Sequence, residues 1–95
     1  MTYRASSVDT NQSEIVANLR DLGFTVAHCH TVGGGFPDLV VAKNKVTMLV
    51  EVKSKGGKLG LKQKFFHAAW ADDVCIAYEV DDVVEAYLKK LKRFR

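Results

Sequence analysis

The residues of this sequence best suited to chemistry are two acids and a lysine, Asp38, Glu51 and Lys53, which lie at the outer ends of two apolar runs. A polar segment separates the runs, and this pattern predicts a β-hairpin. If its turn consists of Asn44 and Lys45, counting outward places Asp38 directly opposite Glu51. A three-residue turn would shift that pairing by only one position. The two carboxylates are therefore predicted to meet on neighbouring strands.

The two faces of the predicted hairpin differ in character because strand side chains alternate between faces. Glu51 and Lys53 share one face with Leu49, and Asp38 joins that face from the partner strand. The opposite face is wholly apolar and is predicted to be core. Its members are Leu39, Val41, Met48, Val50 and Val52.

Two carboxylates in this position need a compensating charge. Opposed side chains on antiparallel strands have Cβ atoms about 4.5–5.5 Å apart, and like charges at that distance repel. A divalent cation between Asp38 and Glu51 would compensate, and hard oxygen ligands favour Mg²⁺ or Mn²⁺. The alternative is a surface ion pair of Glu51 with Lys53, worth about 0–1 kcal/mol, and an unrelated Asp38 that caps a turn. The shared face and a glycine-rich approach to Asp38 favour the metal site.

The elements before the hairpin are a helix and a strand. Asn11 and Glu14 have the spacing of a capping box, apolar residues follow at helical intervals, and Gly23 supplies a stop, so we predict a helix over about 12–22. Glu14 either completes only this cap or has a function. A strand is predicted over 24–30, with His28 and His30 on one face, and His30 is predicted to approach the carboxylates.

A second helix is predicted after the hairpin, from position 59 or 61 to position 71. Its predicted buried stripe is Leu61, Phe65, Ala68 and Ala69. Gln63 and His67 lie one turn apart on a different face. For Phe66 and Trp70 we favour a place in the core over stacking on nucleic-acid bases.

The last predicted elements are a strand over 74–78 and a helix that Asp81 and Asp82 cap and that ends near Leu91. An uncovered part of the apolar stripe of this helix, which includes Leu88 and Phe94, could contact a second copy of the chain. The resulting order, α-β-β-β-α-β-α, indicates a small α/β layer with a mixed sheet.

The composition of the 95 residues is that of one ordinary globular domain, with 47% apolar and 26% charged residues. We predict a single domain over 1–95, in which 1–9 form a loose arm. No run is long enough to span a membrane, and the N-terminus lacks the apolar core of a signal peptide, so a cytoplasmic location is expected. Cys29 and Cys75 are predicted to be buried free thiols.

The net charge of +3 is unevenly distributed. Positions 43–64 carry seven lysines and one acid, Glu51. A cluster of this kind favours a polyanionic partner such as nucleic acid. The three glycines at 33–35 lack side chains, which lets a nucleic-acid backbone approach or lets the chain bend sharply.

The segment Pro37–Asp38, an apolar hairpin and Glu51–Val52–Lys53 resemble the motif of the PD-(D/E)XK nucleases. The surrounding stretches GFPDLVV and EVKSKGG, and the later LKQKFF, are similar to the VRR-NUC branch of that superfamily. This branch occurs as a domain of Fanconi-associated nuclease and as small stand-alone phage and bacterial proteins. The resemblance covers roughly residues 10–80.

The resemblance implies a restriction-endonuclease-like core, in which helices flank a mixed β-sheet, and metal-dependent hydrolysis of phosphodiester bonds. It implies that Asp38, Glu51, the backbone carbonyl of Val52 and Glu14 hold Mg²⁺ or Mn²⁺. Lys53 would orient the attacking water or stabilise the transition state, and Gln63 would help to position the site. The residues that we expect to contact nucleic acid are Lys55, Lys58, Lys62, Lys64, Gly34 and Gly35.

Stand-alone members that resemble this chain are structure-specific endonucleases, in particular dimeric resolvases of four-way (Holliday) DNA junctions. Symmetric incision of a junction needs two active sites, so a homodimer acting on branched DNA is expected in a phage or bacterial host cell. Cutting directed by a flap or nick is the nearest alternative. A non-catalytic nucleic-acid-binding module is another, although the intact Asp38, Glu51 and Lys53 argue against it.

Overall fold

The computed structural model describes residues 11–70 and 73–93, and within them it confirms the predicted order of elements. The predicted arm over 1–9 lies outside the described residues, as do Ala71 and Phe94. The elements are α1 (Gln12–Asp21), β1 (Thr25–His28), β2 (Leu39–Lys43), β3 (Val46–Val52), α2 (Leu61–Trp70), β4 (Val74–Ala77) and α3 (Val80–Lys92).

The four strands form one mixed sheet in the order β1-β2-β3-β4. The pairs β1–β2 and β2–β3 are antiparallel, whereas β3 and β4 run parallel to each other. A parallel neighbour requires a crossover connection, and α2 lies in that connection. The result is the α/β, restriction-endonuclease-like architecture that was predicted.

The register of the β2–β3 hairpin is the predicted one. Lys43 pairs with Val46 and Leu39 pairs with Val50, so Asp38 and Glu51 come next in line at the open end. The two turn residues between Lys43 and Val46 both have positive φ, 52° and 68°, as a type I′ turn requires. This turn geometry fixes the register on which the position of the two acids depends.

The core lies between one face of the sheet and the helices α1 and α3. The predicted apolar face of the hairpin is confirmed, because all five of its members are buried: Leu39, Val41, Met48, Val50 and Val52. From the helices, Leu19 and Val83 pack against this face with no exposed surface. The opposite face of the hairpin is left for Asp38, Glu51 and α2.

The predicted capping box of α1 is wrong. In the part of the chain that the structure describes, Asn11 makes no side-chain capping bond. Its Nδ2 instead donates to the carbonyl oxygens of Lys53, at 3.2 Å, and Tyr78, at 2.9 Å. These carbonyls belong to the residues that directly follow β3 and β4, so a long-range contact has replaced the local one. Gly23 ends the helix as predicted, with φ 92°.

The predicted buried stripe of α2 is also wrong. Leu61 and Phe65 are each 70% exposed, and none of the ten residues of α2, all of them described, is buried. The side of α2 that approaches the sheet carries Gln63, Phe66 and His67, which are partly buried. The helix lies over the polar end of the hairpin, where a glutamine can bond to a carboxylate and a leucine cannot.

The final helix begins slightly earlier than predicted. One carboxylate oxygen of Asp82 accepts the backbone N–H groups of Tyr78 and Glu79, at 2.9 and 3.2 Å, so α3 starts at Val80. Leu88 of α3 remains 50% exposed. Both cysteines are free, as predicted, but they are only partly buried and not fully buried as expected. Within the described ranges no helix has the length and apolar character that a membrane span would need.

Candidate active site

Two buried carboxylates lie side by side where the β2–β3 hairpin opens. Glu51 is 2% exposed and Asp38 is 9% exposed. Burying an ionised carboxylate is expensive unless hydrogen bonds or opposite charges compensate. The hairpin nevertheless brings both acids out of water on the same side of the sheet, and this arrangement marks the place as a candidate site.

Backbone groups fix Asp38 from two directions. Its Oδ2 accepts the N–H of Val52 at 2.9 Å, and its own carbonyl oxygen accepts the N–H of Cys29 at 2.7 Å. Pro37, which is fully buried, fixes the backbone just before it. The carboxylate is therefore held against β3 beside Glu51.

Glu51 is positioned by a side chain from α2. Gln63 Nε2 donates to Glu51 Oε2 at 2.7 Å, and Gln63 Oε1 accepts the N–H of Gly60 at 2.9 Å. The second bond fixes which way the amide points, so its NH₂ group must face Glu51. Lys53 Nζ lies 3.9 Å from the same oxygen of Glu51. Of the predicted site residues, the structure thus brings together Asp38, Glu51, Lys53 and Gln63, and it places the backbone of Val52 beside them.

One turn beyond Gln63, His67 is held in its neutral form. Burial lowers the pKa of its imidazole below the usual value of 6.5, and the positive charge of Lys53 lowers it further. Its Nε2 is buried and has no hydrogen-bond partner in the part of the chain that is described. The lowered pKa favours the neutral imidazole of His67 beside the active site.

The glycine segment packs against the start of α2. Gly35 has φ +85°, and a Cβ there would collide with the backbone carbonyl of Lys62. A Cβ on Gly34 would meet nothing within 4 Å. Gly35 thus allows close approach of two backbones, whereas Gly34 faces open space. Contact of either residue with nucleic acid stays a prediction.

A pocket of about 490 Å³ opens between the glycine segment and the start of α2. Its lining includes Asp38 and Gln63 of the site, together with His30, Phe36 and Lys62. His30 thus borders the same pocket as Asp38, and its approach to the carboxylates stays a prediction. The exposed Lys62 stands at this pocket, which gives the buried acids a positively charged border open to solvent.

Other predicted residues lie farther from this pocket. Glu14 is exposed and lines a second pocket, of about 160 Å³, together with Tyr78 and Glu79. Among the described residues the two pockets have no lining residue in common, and Asp38 lines only the first. The role of Glu14 as a metal ligand stays a prediction. The remaining predicted contacts with nucleic acid are exposed: Lys55, Lys58 and Lys64.

Sequence reasoning missed Gln12. This first residue of α1 is only 3% exposed, and its Nε2 lies 3.5 Å from Nδ1 of His28. Its Oε1 is buried and has no hydrogen-bond partner among the described residues. A glutamine in the first turn of a helix ordinarily faces solvent, so no pattern in the sequence indicated its burial. Only the packing of α1 on β1 shows it.

The donor set fits a magnesium-like ion. The described ranges contain no group of three His, Cys, Asp or Glu side chains that could hold a metal. Mg²⁺ does not need such a group, because it usually keeps several waters and binds one or two carboxylates together with substrate phosphates. The buried oxygens of Asp38 and Glu51 meet that requirement.

A restriction-endonuclease-like sheet that carries Asp38, Glu51 and Lys53 at the open end of a hairpin defines the class of PD-(D/E)XK nucleases. Comparison with protein families agrees with this class, because the model of the VRR-NUC domain matches residues 31–81, more than half of the chain. The chain belongs to the VRR-NUC family, and its function is that of a nuclease with DNA as its substrate. A comparison with curated proteins found no match.

Proposed function

We propose that this protein is a Mg²⁺- or Mn²⁺-dependent, structure-specific DNA endonuclease that works as a homodimer on four-way junctions. The observation that carries the proposal is the fixed pair of buried carboxylates. Asp38 is held by the N–H of Val52, Glu51 is held by Gln63, and Lys53 Nζ stands 3.9 Å from Glu51. Two acids and one amine held this firmly are suited to a single reacting phosphate.

Each residue has a role that follows from its position. Asp38, Glu51 and the carbonyl of Val52 would hold the ion. A bound divalent ion supplies Lewis-acid neutralisation of the scissile phosphate and makes a bound water more acidic. Lys53, a compact point charge, would orient the attacking water or stabilise charge that builds up on the phosphate oxygens. Gln63 keeps Glu51 in place throughout.

The preference for branched DNA and the dimer rest on different arguments. Symmetric incision of a four-way junction needs two sites related by a twofold axis, which a homodimer supplies. The half-exposed Leu88 on α3 offers an apolar contact for such a dimer. The exposed lysines around the pocket suit a substrate that brings several phosphate backbones close together. Flap- or nick-directed cutting would use the same site on a different DNA.

A single cleavage assay tests the proposal. Labelled four-way junction, flap, nicked and linear duplex DNA are incubated with the protein in Mg²⁺, Mn²⁺ or EDTA. We expect symmetric cuts in the junction with either metal and no cuts in EDTA. The Asp38→Asn and Lys53→Ala variants should cleave at least about 100-fold more slowly. Lys45→Ala, an exposed change at the hairpin turn, should cleave as the original protein does.

Four results would contradict parts of the proposal. Cleavage in EDTA would reject the metal, and faster cleavage of flap or nicked DNA than of junctions would reject the four-way substrate. Lys53→Ala protein that is folded and cleaves at the original rate would reject the assigned site. Sedimentation of the protein as a monomer while it resolves junctions would reject the dimer.

A further inference from the structure

Three aromatic rings form a ladder that begins at the pocket and ends at the surface. The rings of Phe36 and Phe66 meet edge to face with centroids 5.3 Å apart. Phe66 and Trp70 are stacked, with centroids 5.2 Å apart and an angle of 5° between the ring planes. Phe36 also lines the pocket that contains Asp38. The ladder is therefore continuous with the active site.

The outer ring of this ladder is not part of the core. One face of Trp70 lies against Phe66, yet 47% of the residue remains exposed. The exposed part must then be largely the other face and the edges of the indole. A large flat apolar surface in this state is suited to stacking against another flat ring.

The residues around the three aromatic rings indicate what kind of flat ring would stack on Trp70. Phe66 follows Gln63, the residue that bonds to Glu51, by about one helical turn. Trp70 lies seven residues beyond Gln63, which is about 10 Å along a helix. Lys62 is exposed one helical turn before Phe66, so phosphate groups would be attracted alongside the aromatic rings. Aromatic rings next to basic side chains are the usual construction of a surface for single-stranded nucleic acid.

We propose that Trp70, backed by Phe66, stacks on an unpaired nucleobase of the DNA substrate. This inference rests on the proposed function and narrows its substrate class. At about 3.4 Å per nucleotide along a stacked strand, 10 Å corresponds to about three nucleotides. The preferred DNA therefore has an unpaired or easily unpaired base within about three nucleotides of the scissile phosphate.

The indole itself provides the first test, because Trp70 is the only tryptophan of the chain. Its fluorescence is followed during titration, in EDTA to prevent cleavage, with duplex DNA that carries one bulged base. The comparison DNA has the same bulge with the base removed. We expect strong quenching of fluorescence by the intact bulge and little by the abasic one. Equal quenching by both, or none by either, would overturn the inference.

Substitutions provide the second test. Trp70→Leu should bind the bulged DNA roughly tenfold more weakly than the original protein and should bind the abasic DNA equally well. Trp70→Phe, which restores a flat ring, should regain most of the affinity. Leu22→Ala is the matched control, because Leu22 is also 47% exposed but lies at the turn end of the sheet. An equal loss on both DNAs with Trp70→Leu would overturn the inference.

Two further measurements distinguish a failure of this inference from a failure of the proposed function. If the original protein cleaves no DNA, the proposed function fails, whatever the fluorescence shows. If it cleaves branched DNA but Trp70 fluorescence does not respond, only the stacking inference fails. Sedimentation decides the remaining case: a Trp70→Leu change that alters the oligomeric state and not DNA affinity would mean that a second copy of the chain covers the indole.

Discussion

The side-chain amide of Gln63, from α2, helps to hold the Glu51 carboxylate in position. Gln63→Leu removes the donor 2.7 Å from Glu51 Oε2, while Gln63 is itself only partly buried. We expect the cleavage rate to fall about 10- to 100-fold and more metal to be required for half-maximal rate, as is typical when a residue that orients a metal ligand is lost. The measurement is the cleavage rate as a function of Mg²⁺ concentration.

Two comparisons make the Gln63 experiment specific. Gln63→Glu should be at least as damaging as Gln63→Leu, because it sets a third acid against Glu51. Lys64→Ala, an exposed change at the next residue, should leave the metal requirement unchanged. If Gln63→Leu lowers the rate without changing the metal requirement, then the amide acts on something other than the ligand position of Glu51.

His67 should give the protein a dependence of stability on pH. Its pKa in the folded protein lies below 6.5, chiefly because of burial and secondly because of Lys53. Below about pH 6.5 the unfolded chain therefore binds a proton that the folded chain resists, so stability is full above that pH and is lost as the pH falls. In urea unfolding, His67→Gln should lose less stability than the original protein between pH 7 and pH 5.

A second measurement assigns the cause of this shift. In Lys53→Met the pKa of His67, followed by its ring NMR signals, should rise toward 6.5 without reaching it, because burial is the larger cause. A pKa that does not move would place the ammonium group of Lys53 too far away to act on His67.

At the scale of single residues, the sequence predicted the positions of those side chains that depend on local rules. Alternation along a strand and a two-residue turn were enough to place Asp38 opposite Glu51, and the register agrees. The burial of Gln12 and the two long-range bonds of Asn11 could not be predicted. They join residues up to 67 positions apart, so they exist only after the elements have packed.

At the scale of elements, α2 must stay close to the glycine segment for Gln63 to reach Glu51. Gly35→Ala and Gly34→Ala each place a side chain at positive φ, 85° and 66°, which costs about 1–2 kcal/mol. Only Gly35→Ala adds a collision with the carbonyl of Lys62, worth roughly 1–3 kcal/mol more. We expect Gly35→Ala to be the less stable variant in urea and to lose cleavage activity as α2 moves away.

The Gly34→Ala variant is the control for backbone strain alone, since its Cβ would meet nothing within 4 Å. It should keep most of its cleavage activity. Equal loss of stability in both variants would mean that the contact of Gly35 with α2 does not hold the two elements together.

The helix α2 also shows where prediction from periodicity fails. Leu61 and Phe65 have helical spacing and suggested a buried stripe, yet both are 70% exposed. Periodicity assumes that a helix turns its most apolar side inward, which holds over an apolar sheet face. Here α2 covers a face that carries two acids, so Gln63 and His67 approach the sheet. The exposure of the apolar side is thus a consequence of the active site beneath the helix.

At the scale of the whole molecule, exposed lysines lie on both sides of the sheet. Lys58 is exposed just before α2 and Lys62 is exposed in its first turn, where it lines the pocket. Lys89 and Lys92 are exposed on α3, which packs on the other face of the sheet. The sequence showed both clusters but could not show that the sheet separates them. If DNA binds over the pocket, only the first pair should contact its phosphates.

The dependence of binding on salt distinguishes the two lysine pairs. Each phosphate contact contributes a slope of about −0.9 to a plot of log affinity against log salt concentration. With junction DNA in EDTA, changing both Lys58 and Lys62 to alanine should reduce the magnitude of the slope by about 2. Changing both Lys89 and Lys92 to alanine should leave it unaltered, although each double variant loses the same net charge. A slope reduced equally by the α3 pair would mean that DNA also wraps the opposite face, and the single-face binding mode would then be wrong.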